Sequence, residues 1–548
     1  MKRENTLSLT AGLIVIFAVL AALWYRPRSV APAASTPTRT AAVTSRAPAQ
    51  TVPVGAVDPL FDEIVRQLLD TLEESFAAAA RRPHEGLLTF KDDAALQRFL
   101  ERAGQSGLTV LNQSGALRTV RVRYDNYRAL ENELLQHARD YDSIGANYLV
   151  GIPSVPAKED RAAVNEIPFG NAALAFLGAS GDRSTWGRGV TIAVIDSGVA
   201  SDATFGSGRL SLLDVGLGTQ PGQGEGDGHG TSVASLAAGA SADAPGLAPA
   251  ANVLSIKVTD TNGLSDIFTL AQAIVAATDA GARVVNVSLG GYATNAALDR
   301  ALAYATERGA VVVAAAGNDQ AAQLAWPAAD SRVISVGAVD RAGQQVSFSN
   351  SGAQLQLAAP GLGIQTAWLD GQRTYVDGTS ASAPLVAGAI AAVLSQNSSL
   401  TPQQAAAVLT ATASDAGAPG SDAAYGNGIL NVGWAMNRNT PGYIDTAVSS
   451  HYYDAATDQM EFVIQNRSSQ AVSGLTLNVG AGTQGTNHSI PALAAGASHV
   501  VKTPVDNTAL KLNGSVAYTT QLINPLGTED KVPANNRRST VLSAPEQK

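Results

Sequence analysis

The chain has 548 residues, too many for one hydrophobic core, and its 45% apolar and 15% charged content is that of globular protein. A net charge of −9 leaves no basic footprint, which argues against a nucleic-acid partner. The absence of cysteine removes disulfides, thiolate metal sites, a cysteine nucleophile and a lipidated-cysteine anchor together.

Residues 6–25 predict a membrane segment. No residue from Asn5 to Tyr25 is charged, and about 20 such residues match the hydrocarbon thickness of a bilayer. Trp24 and Tyr25 then stand where an interfacial aromatic belt would, followed by Arg26 and Arg28. An uncleaved anchor is favoured over a cleaved signal peptide, because the nearest small-x-small site, Ala31-Pro32-Ala33, lies far downstream and contains proline. Either reading sends the rest of the chain across a membrane, to the periplasm or cell surface, tethered or, if the leader or a propeptide is cut, secreted. Residues 27–57 are rich in Ala, Pro, Thr and Ser without acidic residues or hydrophobic period, and read as a tether. Phe61, Ile64, Val65, Leu68, Leu69 and Leu72 recur with helical spacing.

A compact α+β pattern follows. Strands are expected at Leu87–Phe90, around Val120–Tyr124 and at Asn147–Ile152, with helices at Asp92–Arg102 and Asn126–Arg139. The order strand, helix, strand pair, helix, strand is that of a split βαβ, ferredoxin-like unit. From 165 to 436 the pattern changes to short apolar strands, Val190–Ile195, Val253–Val258, Val284–Val287, Val311–Ala316 and Val333–Val339. Helices such as Asp266–Ala280 and Asn295–Arg308 alternate with them, which implies an α/β fold with a mostly parallel sheet flanked by helices. After Pro441 alternation at Met460, Phe462 and Ile464, at Leu475, Leu477 and Val479, and at Val516 and Tyr518 predicts a β-sandwich. The resulting division is 1–26, 27–57, 58–160, 161–440 and 441–548.

In a parallel α/β sheet, reactive side chains collect at the carboxyl ends of the strands. Val190–Ile195 runs into Asp196-Ser197-Gly198, and Val311–Ala316 into Gly317-Asn318. Each tripeptide or dipeptide alone is an ordinary turn signal. Of six histidines only His229 lies between 165 and 436, in Asp227-Gly228-His229-Gly230-Thr231, so a neutral-pH general base in this part of the chain is His229. Ser380, in Gly378-Thr379-Ser380-Ala381, precedes the wholly apolar helix Leu385–Leu394, where backbone N–H groups and the helix dipole would stabilise an oxyanion. A lone serine there is more often a plain cap, and its hydroxyl needs a base to become a nucleophile.

The joint order Asp, His, Ser is that of subtilisin. Together with Ser288-Leu289-Gly290-Gly291, Ala316-Gly317-Asn318, Ala359-Pro360-Gly361 and Tyr425-Gly426-Asn427-Gly428, these blocks resemble the signatures of the subtilisin-like serine proteases over half the chain. The resemblance implies an endopeptidase acting on polypeptides, with Ser380 as nucleophile, His229 as base, Asp196 as its orienter and Asn318 as oxyanion donor. It implies substrate-binding walls at Ser288, Leu289 and Gly290 and at Ala315, Ala316 and Gly317, with room for a large apolar side chain. The three catalytic side chains are expected to meet within hydrogen-bonding reach. Residues 86–155 resemble the family's inhibitory propeptides, which implies that the protein's own propeptide lays residues near Tyr148–Val150 across the site and that the precursor cuts itself between about 150 and 166. The chain departs from the family at Ser232, Ala381 and Leu385. No cofactor is needed for this chemistry. A structural calcium ion is not supported, since the short segment Gly239–Gly246 offers only the Asp243 carboxylate. The competing reading is a membrane-tethered binding or assembly protein on an inactive protease scaffold. The sandwich resembles bacterial adhesion-like modules only loosely, and its role is open between binding and stabilisation.

Overall fold

The protein is described as a computed structural model covering residues 67–68, 80–156, 165–222, 226–481 and 484–544. The anticipated membrane segment, the tether, most of the Phe61–Leu72 helix and the stretch 157–164 lie outside these residues. All described residues belong to one compact unit.

The first body is β1 (Arg81–Phe90), α1 (Asp93–Arg102), β2 (Leu108–Ser114), β3 (Thr119–Tyr124), α2 (Tyr127–His137) and β4 (Tyr141–Gly151). Its antiparallel sheet runs β4-β1-β3-β2, the ferredoxin-like order. The helices start where Asp92 and Asn126 accept from Ala95 N and Arg128 N. Their apolar faces, Leu96 and Phe99 of α1 and Leu130 and Leu134 of α2, bury against Leu88, Phe90, Val120 and Val122. β1 and β4 both begin about six residues earlier than expected. The cause lies in β1: Arg81-Arg82-Pro83-His84-Glu85 is too polar to read as a strand, and the register shift between Arg81 and Gly86, with His84 at φ 56°, hides the alternation.

The second body holds seven parallel strands: β5 (Thr191–Asp196), β6 (Leu210–Leu213), β7 (Asn252–Lys257), β9 (Val284–Val287), β10 (Val311–Ala315), β11 (Ile334–Val339) and β12 (Leu357–Pro360). The short strand β8 (Leu264–Asp266) lies outside this sheet. The order β12-β11-β10-β9-β5-β7-β6 reverses direction between β5 and β9, so a crevice opens at the carboxyl ends of those two strands. Side chains alternate cleanly between two cores. Ile192 and Val194 face α3 (His229–Ala238) and the central helix α6 (Thr379–Gln396), whereas Ala193 and Ile195 face α4 (Ile267–Asp279) and α5 (Ala296–Glu307). Burial on both faces is why these strands read as unbroken apolar runs. Among the described residues α6 is the one helix long and apolar enough to cross a membrane, and its near-complete burial makes it a core helix.

The third body packs a three-stranded antiparallel sheet, Thr446–Asp454, Gln459–Asn466 and Ser498–Pro504, on a four-stranded one. The predicted alternating residues Met460, Phe462, Ile464, Leu475, Leu477, Val479, Val516 and Tyr518 form the core between them. This sandwich is fixed to the second body by polar contacts: Ser449 Oγ donates to Asp415 O at 2.7 Å, Ser450 Oγ to Gly417 O at 2.8 Å and Gln465 Nε2 to Ala413 O at 3.3 Å. The buried Arg467 guanidinium lies near the Trp434 ring and donates to Gln465 and Ser449.

Asp415 at this seam is buried, with Oδ2 accepting from Gly420 N and Oδ1 unpartnered. Burial pushes its carboxyl up to about 6, with Asp422 adding to the shift. A raised carboxyl pKa means the folded chain binds the proton more tightly than the unfolded chain, so stability is lost as pH rises from about 4 through about 6. Denaturant unfolding should show a loss on the order of 1–2 kcal/mol between pH 4 and 7 that Asp415→Asn does not show. Parallel pH profiles for the two forms would refute the assignment.

Candidate active site

β5 delivers Asp196 to the crevice, and β9, in register with it through Val287 and Ile195, delivers Ser288 one residue further on. Asp196 is fully buried, and its Oδ1 accepts from Ser197 N at 2.7 Å and faces His229 Nδ1 at 2.8 Å. A carboxylate only accepts, so Nδ1 carries the proton of that bond. His229 begins α3. Ser197 Oγ accepts from Gly230 N and donates to Asp227 O, which ties the aspartate turn to the helix start. On the other side the indole of Trp368 lies against Gly228, where any Cβ would come within 2.3 Å of the ring. The hydroxyls of Ser232, Ser235 and Thr366 lace α3 to the strand Ile364–Ala367. Ser232, a departure from the family pattern, therefore has a structural partner in Ala367 O.

Ser380 is the second residue of α6, and the residue flanking the helix is Gly378, not the serine. Gly378 sits at φ 124°, a backbone region closed to ordinary side chains, and a Cβ there would press on Asn318 Nδ2 at 3.0 Å. The Asn318 side chain is clamped: Oδ1 accepts from Thr379 N and Thr379 Oγ1, both at 2.9 Å, and Thr379 Oγ1 also accepts from Gly317 N. This leaves Nδ2 directed into the cleft, where it donates to the carbonyl of Pro153 at 3.2 Å. The Ser380 hydroxyl donates to Ser288 O at 3.3 Å, and no hydrogen bond joins it to His229 among the described residues. The structure thus brings Asp196 and His229 together as expected, with Ser380 at the same sheet edge but its proton directed elsewhere.

The chain segment in the cleft comes from the first body. β8 pairs antiparallel with the end of β4, Leu264 opposite Gly151 and Asp266 opposite Leu149. On its other side Gly151 exchanges two hydrogen bonds with Gly290, at 3.0 and 2.9 Å, and Ile152 N donates to Gly263 O. An extended peptide is thereby inserted as a strand between two edges. The residues across the site are Gly151–Val155, a few positions later than the expected Tyr148–Val150. Val155 continues past the site and packs on Val346, Phe348 and Leu362. The seam is reinforced by ion pairs: Arg121 reaches Glu85 at 2.8 Å and Asp266 at 3.4 Å, and Arg82 reaches Asp266 at 3.2 Å.

Of the expected wall residues, Ser288 and Gly290 touch Ser380 and the inserted strand, whereas the Leu289 side chain turns into the core. Ala315 and Ala316 are likewise core residues. Behind Gly317 stands Asn350, whose amide donates to Ala316 O and to the Tyr292 hydroxyl, which in turn bonds Asp319. Burial, with the Asp319 bond adding to it, pushes the Tyr292 hydroxyl up to about 12.

These blocks match known proteins. A profile of the subtilase family matches residues 187–428. An alkaline protease of Shouchella clausii is 30% identical over 366 residues, covering 65% of this chain and 93% of that one. This chain belongs to the subtilase family. It is a subtilisin-like serine endopeptidase, a hydrolase of peptide bonds acting on polypeptides. Another subtilase, subtilisin Savinase of Lederbergia lenta, is 35% identical over 255 residues, 46% of this chain and 93% of its own. The crystal structure of fervidolysin from Fervidobacterium pennivorans, a keratinolytic enzyme related to subtilisin, superposes with a TM-score of 0.54 at 19% identity. It covers 84% of this chain and 76% of that one and shows the shared fold.

A calcium ion near Gly239–Gly246 does not fit this subtilase's donor set. Arg373 already engages both nearby carboxylates, Asp202 at 2.9 Å and Asp243 at 3.0 Å. Among the described residues no cluster of three or more His, Asp or Glu is placed to hold a metal ion. The sequence pointed to Asp243 alone, and Asp202 and Arg373 reach it only through the fold. The Asp202 side chain is 2% exposed, so Arg373→Ala leaves a buried carboxylate without its cation and should cost about 3 kcal/mol in denaturant unfolding. An unchanged unfolding midpoint in Arg373→Ala would contradict this account.

Proposed function

We propose that Asp196, His229 and Ser380 form the catalytic triad, with Asn318 as oxyanion donor, and that the endopeptidase is made as a self-inhibited precursor. What carries this reading is the clamped Asn318 amide donating to a carbonyl of an inserted, substrate-like strand beside Ser380. In turnover the Ser380 hydroxyl rotates from Ser288 O to His229 Nε2, which accepts its proton as Oγ attacks the scissile carbonyl. Asp196 holds the Nδ1–H tautomer and offsets the imidazolium charge that develops. The carbonyl oxygen, now negative, is met by Asn318 Nδ2 and by backbone N–H at the start of α6. His229 then protonates the leaving amine, and water repeats the sequence on the acyl-enzyme.

The same reading makes residues 80–156 an inhibitory propeptide and Ile167-Pro168-Phe169-Gly170 the start of the mature catalytic body. Ile167 N bonds the Asp340 carboxylate, and Phe169 and Gly170 pair with Leu362 and Gly363, so this stretch is anchored independently of the cleft strand. With residues 6–25 as a membrane segment, the catalytic body works outside the cytoplasm and leaves its tether on processing. Large apolar side chains suit the space beside Gly290 and Gly317.

Hydrolysis of a denatured, unrelated protein by the processed enzyme tests the assignment. Ser380→Ala and His229→Ala should each lower kcat about 10⁶-fold, the figure measured in subtilisin itself, and the double variant should be no worse than either alone. Asn318→Ala should cost about 10²–10³-fold, a figure also measured in subtilisin. Retention of a tenth of the activity by Ser380→Ala or His229→Ala would overturn the triad.

A further inference from the structure

Between the catalytic body and the sandwich lies a cavity of about 480 Å³, with no residue of the cleft in its walls. That volume is within the roughly 300–1,000 Å³ of small-ligand sites, which gather at junctions of this kind. The catalytic body lines it with Phe176, Ile429 and Trp434, and the sandwich with Val532, Arg467 and Arg538. Arg467 is only 6% exposed. Its Nε and Nη2 donate to the neutral Gln465 Oε1 at 3.2 and 2.9 Å, and Nη2 also to Ser449 Oγ at 3.0 Å. Nη1 has no hydrogen-bond partner among the described residues, and the guanidinium carbon stands 5.8 Å from the centre of the Trp434 ring. Arg538 is fixed by its backbone, which pairs with Thr520 and accepts from Thr520 Oγ1. Its guanidinium has neither a hydrogen bond nor an ion pair among the described residues.

The two cations act on each other and on their surroundings. Burial lowers the Arg467 pKa, Asp445 resists the fall and Arg538 adds to it; burial also drives the His451 imidazole down to about 3, with Arg538 again adding to the shift. The carboxyls that face Arg467 are Asp415 and Asp445, and neither forms an ion pair with either arginine among the described residues. Burial raises both, Asp415 to about 6, which weakens the charge that would oppose an anion. Of the other cations in the walls, Lys531 pairs with Glu529 and Arg537 is exposed. A guanidinium with free N–H groups takes a carboxylate through parallel bonds, more strongly where water is excluded. The apolar walls favour an anion that carries an apolar body over an inorganic one. We propose that this cavity binds an organic carboxylate, its charge on Arg467 Nη1 and Arg538 and its apolar body against Trp434, Phe176 and Val532. The carboxyl end of a peptide and a free aromatic or aliphatic acid share this chemistry, and an endopeptidase generates the first with every bond it cuts. Because both bodies supply the walls, the bound acid bridges the catalytic body and the sandwich.

Calorimetric titration of the purified full-length chain tests the proposal, with N-acetylphenylalanine, its neutral amide, inorganic phosphate and a tripeptide ending in phenylalanine as probes. N-acetylphenylalanine should bind one to one, and the amide and phosphate each at least about tenfold more weakly. A tripeptide that binds more tightly than the acetylated amino acid supports the site and marks peptide ends as its ligands; one that binds equally or less tightly supports it with free acids as the ligands. Arg538→Gln should weaken the acid at least about tenfold. Should that variant fold poorly, Val532→Glu, which sets a negative charge at a position 37% exposed, should weaken it in the same direction. The acid should also change the tryptophan fluorescence of the wild type, and Trp434→Phe should remove that change. Absence of binding at millimolar acid, equal affinity for acid and amide, phosphate binding as tight as the acid, wild-type affinity in Arg538→Gln or Val532→Glu, or a fluorescence change that persists in Trp434→Phe overturns the proposal.

Discussion

The two hydrogen bonds from Thr379 to the Asn318 side-chain oxygen join the end of β10 to the first turn of α6, and the chemistry of the cleft depends on that junction. An asparagine amide free to rotate spreads its donor over many positions. One whose oxygen is held by a backbone N–H and a hydroxyl presents its N–H along a single line, and pre-oriented donors of this kind are what stabilise a developing oxyanion. The junction is rigid because its supports are buried. α6 is apolar on every side and lies against the strands that carry Asp196, Ser288 and Asn318, so the positions of all three are set by one close-packed core.

The cleft is occupied from within the same chain. Backbone pairing on both sides of Gly151, an interlayer of ion pairs at Arg121 and Arg82, and Arg300 donating to Phe90 O and Leu117 O make the first body a continuation of the second. Backbone hydrogen bonds give such an insertion its affinity without regard to sequence, while single side chains decide whether it is processed. The sandwich, by contrast, is attached through buried polar groups, Arg467 and Asp415 among them, whose desolvation makes the seam sensitive to pH.

The elements legible in the sequence are those whose signal is local. The five expected strands of the parallel sheet appear as β-branched runs because both of their faces are buried, and α1, α2, α4 and α5 carry a cap or a clear apolar face. The half-exposed β6, and β12, which has no β-branched residue, gave no such signal. His229 was singled out by count and Asn318 by its place after a strand, and both stand at the predicted edge. What escaped is non-local. β8 is three residues, Leu264-Ser265-Asp266, too short to show any period, and its partner lies more than a hundred residues away. The Arg373 bridge joins three segments with no shared motif. Leu289, Ala315 and Ala316 are motif positions whose side chains serve the core.

The most direct test of the account is chemical labelling with a serine-directed fluorophosphonate, followed by mass mapping of the modified residue. The processed enzyme should take one equivalent, on Ser380, and His229→Ala should abolish the reaction. The unprocessed chain, with its cleft filled, should react far more slowly. A label on any other residue, or equal labelling before and after processing, would contradict an active site in which Ser380 is the nucleophile and residues 149–155 its cover.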